Sequence, residues 1–114
     1  MRYLMFVATD PDAPVEVDQT GTEPIEVWVQ RNDAAGKRLM GDRLRPVEDA
    51  TTVRQRGGEV LVTDGPFAES REWIAGFDVL ECADLDEAIA IAAAHPMAAA
   101  GRIELRPLWP REDG

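Results

Sequence analysis

Val60-Leu61-Val62-Thr63-Asp64-Gly65-Pro66-Phe67-Ala68-Glu69-Ser70-Arg71-Glu72-Trp73-Ile74-Ala75-Gly76-Phe77 is the stretch whose reading decides the fold. A β-rich run from Val60 to Thr63 meets the turn residues Asp64-Gly65-Pro66, a charged patch follows, and a second strand-like run opens at Trp73. Upstream, Thr51 to Gln55 and Glu59 to Thr63 flank Arg56-Gly57-Gly58, a strong hairpin signal. Downstream, Trp73, Ala75, Phe77 and Val79 alternate with Ile74, Gly76, Asp78 and Leu80. Both sets are mainly apolar, so the run predicts a central strand with helices on one side and another layer on the other.

Outward from this centre, Arg2 to Ala8 reads as a first strand inside the sheet, and Thr9 to Gly21 as a loop rich in Asp, Pro and Gly. A helix is expected to start near Glu23, with Thr20 and Glu23 at capping-box spacing or Thr22 as the N-cap, and to end at Gly36. Ile25, Trp28 and Val29 form its apolar stripe. Lys37 to Pro46 is a connector with a short extended segment. Asp84 and Glu87 open a second helix with Leu85, Ala88, Ile89 and Ala92 as its core stripe, and Pro96 stops it after His95. Ile103 to Trp109 forms the last strand, with Ile103 and Leu105 on one face.

Strand, helix, several strands, helix, strand describes an α+β protein, most economically a ferredoxin-like plait with an inserted β-hairpin. Its helices cover one sheet face. The large apolar residues left on the other face call for a second copy stacked against it. The 114 residues are read as one domain, 1–114.

Net charge is −10, with 22 acidic against 12 basic residues, so the far field repels phosphate backbones and anionic lipid heads. Nucleic-acid binding is disfavoured, since Arg43, Arg45, Arg54 and Arg56 build no dense basic stripe. No run reaches the roughly 20 apolar residues that a membrane span needs, and the opening apolar run stops short of signal-peptide length. The single cysteine, Cys82, reads as a buried thiol suited to a reducing cytoplasm. The chain carries no phosphate-binding Gly-rich loop, no Cys/His cluster for zinc and no EF-hand spacing, so neither a cofactor nor a metal is expected.

Candidate site residues cluster around turns. Asp64, at a strand end beside Phe67 and Trp73, is either a partly desolvated general acid or base or the side chain of an Asx turn. In the second case Phe67 supplies the nearest amide, because Pro66 has none. His95, the only histidine, either forms a dyad with Asp64 or serves as an imidazolium at a helix C-terminus, worth roughly 0.3 to 1 kcal/mol. Asp42 and Arg43 are either solvated or meet a ligand carboxylate or phosphate. Phe67, beside Asp64, and Trp73 are candidate ligand contacts, while Trp28, Phe77 and Trp73 belong to the core or interface or line a pocket.

Val62-Thr63-Asp64-Gly65-Pro66-Phe67-Ala68-Glu69, with the opening Arg2-Tyr3-Leu4-Met5, Thr51-Thr52-Val53-Arg54, Gly76-Phe77, Asp84-Leu85-Asp86-Glu87-Ala88 and the closing Ile103-Glu104-Leu105-Arg106-Pro107, resembles the DGPF-domain branch of the YCII-related proteins. The resemblance implies a homodimeric α/β barrel made of two ferredoxin-like sheets. It carries no settled activity: the wider superfamily includes muconolactone isomerases, chloromuconolactone dehalogenases and monooxygenases, a histidine-aspartate pair has been proposed for YCII-type proteins, and DGPF members are often associated with alternative sigma factors. The first helix here has no histidine, and Ala75 stands where many members have glycine. Two functions follow as expectations. One is a dimeric module that binds a small molecule or a protein partner in a pocket between sheet and helices. The other is a cofactor-free lyase or isomerase with Asp64 as proton carrier.

Overall fold

The computed structural model describes residues 1–65 and 74–110; Phe67 and Trp73 lie outside the described residues. The elements run β1 (Arg2–Ala8), α1 (Ile25–Ala34), β2 (Arg38–Arg43), a short 3-10 turn (Val47–Asp49), β3 (Thr51–Arg56), β4 (Glu59–Asp64), β5 (Ile74–Glu81), α2 (Leu85–Ala93), α3 (Met97–Ala100) and β6 (Arg102–Pro107). Four strands make an antiparallel sheet in the order β2-β5-β1-β6, while β3 and β4 form a separate two-stranded sheet. The described strands close no barrel. The two central strands, β1 and β5, are the two most apolar runs, each flanked by a strand on both edges.

Register assigns each side chain to a face. Tyr3, Met5 and Val7 stand beside Leu80, Asp78 and Gly76 of β5 and beside Pro107, Leu105 and Ile103 of β6. Tyr3, Met5, Val7 and Leu80 join Trp28 of α1 and Ala88, Ile91 and Ala92 of α2 in one core, so both helices cover this side of the sheet. The opposite side carries Leu4 and Phe6 beside Val79 and Phe77, with Met40 and Asp42 on one edge strand and Glu104 and Arg106 on the other. No described helix packs on it.

α1 begins two residues later than the sequence suggests, with Pro24 as N-cap and no side-chain cap. Neither threonine is free to cap: Thr22 Oγ1 donates to the Gln19 carbonyl at 2.7 Å, inside the preceding turn, and the Glu23 N–H is taken by the Ala94 carbonyl at 2.8 Å. The end at Gly36 is as expected. Gly36 has φ +71°, its N–H reaches the Asp33 carbonyl, and the Lys37 N–H reaches the Asn32 carbonyl, the double bond of a Schellman cap. The buried stripe of α1 is Trp28 and Asn32, with Val29 half-buried and Ile25 40% exposed, so Ile25 leaves the expected core.

α2 starts as expected, the Asp84 carboxylate accepting from the Glu87 N–H at 2.9 Å while Glu87 accepts from the Ala83 N–H at 2.8 Å. Its inward stripe is Ala88, Ile91 and Ala92, continued by His95. Leu85 and Ile89, expected in the core, are instead half-exposed on the flank. The cause is the Trp28 indole, whose Nε1–H donates to the Ile91 carbonyl at 2.9 Å; two alanines facing the sheet give the helix room to approach it. The hairpin is as read, with Gly57 and Gly58 both at positive φ, the pattern of a type I′ turn.

Candidate functional site

Asp64 ends β4, paired with Thr51 across the hairpin, and is exposed. The turn after it is tied by the Gly65 N–H to the Ala50 carbonyl at 2.7 Å and by Thr52 Oγ1 to the Gly65 carbonyl at 2.8 Å. His95 belongs to a different layer. It is 5% exposed, its ring stands edge-on to Trp28 with centroids 4.8 Å apart, and its Nδ1 accepts the Met97 N–H at 3.0 Å. Burial pushes its pKa below the ordinary 6.5. The imidazolium read from the helix end is therefore replaced by a neutral ring that caps the next helical turn. No hydrogen bond or ion pair joins Asp64 to His95 among the described residues.

Asp42 and Arg43 are both exposed on β2, opposite Phe77 and Gly76. As neighbours on a strand they point to opposite faces, Asp42 to the open side of the sheet and Arg43 to the helix side, so the two do not converge on one small anion.

A polar cluster that sequence reasoning passed over lies between α1 and the sheet. Asp78, 6% exposed, accepts from Arg38 Nε at 2.7 Å, and Arg38 Nη1 reaches Asp33 at 3.0 Å near the end of α1. Burial pushes the Asp78 carboxyl up, and the hydrogen bond and charge of Arg38 pull it back only in part. Burial also works against the Arg38 charge, yet its hydrogen bonds to Asp78 and Asp33 outweigh that and hold it above the ordinary range. Gly41 is the floor of the cluster: a Cβ there would lie 2.1 Å from Asp78 Oδ1 and 2.7 Å from the Phe77 carbonyl. The signal available in the sequence was an acid in the middle of an apolar central strand, which needs a buried cation to stay there. Chemically the cluster is a brace that fixes α1, β2 and β5 to one another, with Arg38 committed to both Asp78 and Asp33.

A second set of charged groups, the Met1 ammonium and Arg2 with Glu81 and Lys37 with Glu87, forms ion pairs that are all about a third or more exposed. Among the described residues, no group of three or more His, Cys, Asp or Glu could hold a metal, and no helix is long and apolar enough to cross a membrane. Cys82 is buried, and burial raises its thiol pKa, which keeps it protonated. A shallow depression of about 570 Å³ runs along α1, lined by Ile25, Glu26, Val29, Gln30 and Asp33, none of them a sequence candidate.

Among known proteins, the chain is similar to an uncharacterised protein, R00369, of Rhizobium meliloti strain 1021, at 45% identity over 78 residues that cover 65% of this chain and 61% of the relative. The alignment thus spans about three fifths of that relative's length. The YCII-related domain matches residues 1–112, nearly the whole chain, and with a match of that extent the protein belongs to the YCII-related family.

Proposed function

We propose that the chain is a homodimeric binding module of DGPF type, in which two ferredoxin-like plaits close their open sheet faces on each other as a dimeric α/β barrel and hold a small molecule or a protein partner at the rim of that contact. The strand order β2-β5-β1-β6 with both helices on one side supports the plait. The single observation that carries the dimer is the half-buried apolar patch of Leu4, Phe6, Phe77 and Val79 at the centre of the sheet, over which no described helix packs, with Met40 beside it 54% exposed. Leaving contiguous aromatic and aliphatic side chains in water forgoes roughly 25 cal/mol for each Å² that a second layer would bury.

Placement of the polar groups favours binding over proton transfer. His95 is engaged with Met97 inside the core, and Asp64 stands exposed on the hairpin. Trp28, Met5 and Leu80, each 0% exposed, fill the centre of the space between sheet and helices, which favours a binding site at the rim. A metabolite-library screen that reads both thermal shift and turnover tests this, with wild type and Asp64→Asn side by side. Binding without turnover, equal in the two proteins, is expected; turnover by wild type that Asp64→Asn abolishes would establish the lyase or isomerase reading instead.

A further inference from the structure

The β3–β4 hairpin is the least explained part of the molecule. It forms its own sheet, and among the described residues its strands pack extensively only on each other. Val53 and Val62 face each other in register with Val60 on the same side, and the three are 63%, 64% and 59% exposed. A two-stranded hairpin standing in water is marginal at best. The molecule is correspondingly broad and thin, 48 × 46 × 20 Å, with a radius of gyration of 16.4 Å where a compact chain of this length has about 13 Å.

Two quantities say what covers the hairpin. The first is area. Four strands of six to eight residues present an open face whose flat footprint is about 430 Å² per copy, from a spacing of about 4.8 Å between strands and about 3.3 Å per residue. A hairpin footprint of about 200 Å² would enlarge that contact by nearly half. The second is charge. Residues 51–64 carry Arg54 and Arg56 against Glu59 and Asp64 and sum to zero, so the full −10 resides in the rest of the chain. The hairpin therefore brings no net charge of its own against a second acidic copy. Met40 and Leu44, 54% and 48% exposed on either side of Asp42, also carry apolar surface from the sheet edge toward the hairpin.

We infer that β3–β4 is an arm that reaches a second copy of this chain and lays its Val53, Val60 and Val62 face on it, extending the sheet-to-sheet contact; this rests on the dimeric reading above. Each copy gives one arm and receives one, as two-fold symmetry requires.

Amide hydrogen exchange on the full chain tests the arm, measured well above and well below the dimer dissociation constant found by light scattering. In the dimer the amides of β3 and β4 are expected to exchange at least about tenfold more slowly than in the diluted monomer. The paired substitution Val53→Glu with Val62→Glu, on a hairpin that does not support the core, is expected to weaken dimerisation at least about tenfold while the helices and the four-stranded sheet keep their protection. A wild-type dimer whose hairpin exchanges freely, or whose Val53→Glu/Val62→Glu form associates like wild type, overturns the arm and leaves the sheet-face dimer standing. Equal hairpin protection at both concentrations also overturns it, because the cover would then lie within one chain. A wild-type monomer overturns both readings.

Discussion

Removing the Asp78 carboxylate tests how the helix layer is held to the sheet. Asp78→Ala leaves the Arg38 guanidinium, whose side chain is only 15% exposed, with Asp33 as its remaining acid, and Asp33 is itself 46% exposed and partly hydrated. Breaking one side of a buried pair costs about 3 to 5 kcal/mol; the surviving Asp33 contact places this case near the lower figure, about 3 kcal/mol. For a chain of this length that is a fall in Tm on the order of 12 °C. Arg38→Met should cost a similar amount, since it strands a carboxylate that is 8% exposed on its side chain. The double variant should lose less than the two singles combined, with a coupling of about 2 kcal/mol. Urea unfolding with an unchanged m-value reads all three. The reasoning is refuted if either single variant unfolds within about 0.5 kcal/mol of wild type, or if the two losses simply add. The sign of the pH effect is a further check. Because burial raises the Asp78 pKa above 3.8, its contribution is most favourable below that value and is lost as pH rises through the raised folded pKa. The stability of wild type relative to Asp78→Asn should therefore fall as pH climbs through that window.

His95 has the opposite dependence. Its folded pKa lies below 6.5, so its contribution is present above 6.5 and is lost as pH falls toward the folded value; the urea midpoint should drop on acidification through that window, and His95→Gln should flatten the slope. An unchanged slope would mean that the ring is not held neutral by the core. Gly41→Ala should destabilise by about 1 to 3 kcal/mol, since its Cβ would meet Asp78 Oδ1 at 2.1 Å and a backbone carbonyl at 2.7 Å, neither of which is the far end of a flexible side chain. Thermal melts of Gly41→Ala alone and combined with Asp78→Ala separate the clash from the lost ion pair.

Local signals carried most of the fold. The Gly57-Gly58 turn, the Asp84 cap, the Gly36 terminator and the apolar central strand each depend on a few neighbouring residues, and each stands where the sequence placed it. What failed was rotation about helix axes. Ile25, Leu85 and Ile89 satisfy helical periodicity as well as their neighbours do, and the choice among them was made by Trp28, which needs the Ile91 carbonyl from a helix 63 residues away. The role of Asp78 was hidden for the same reason, since its partner Arg38 is distant in sequence. His95 read as an imidazolium at a helix end or as a partner of Asp64, because a sequence does not show that an indole edge lies against it. Asp64 and His95 were each visible as candidates, but whether they meet is a property of layers, and the hairpin and the helix end belong to different ones.

Everything functional in this account depends on a partner for the side of the sheet that the helices leave bare. Sedimentation equilibrium of the wild type and of Phe77→Glu at low micromolar concentration measures this most directly. The wild type should weigh twice the 12.6 kDa of the single chain, and Phe77→Glu should fall to the single mass while keeping its circular dichroism spectrum. A wild type that sediments as one chain, or a Phe77→Glu dimer as tight as wild type, would contradict it.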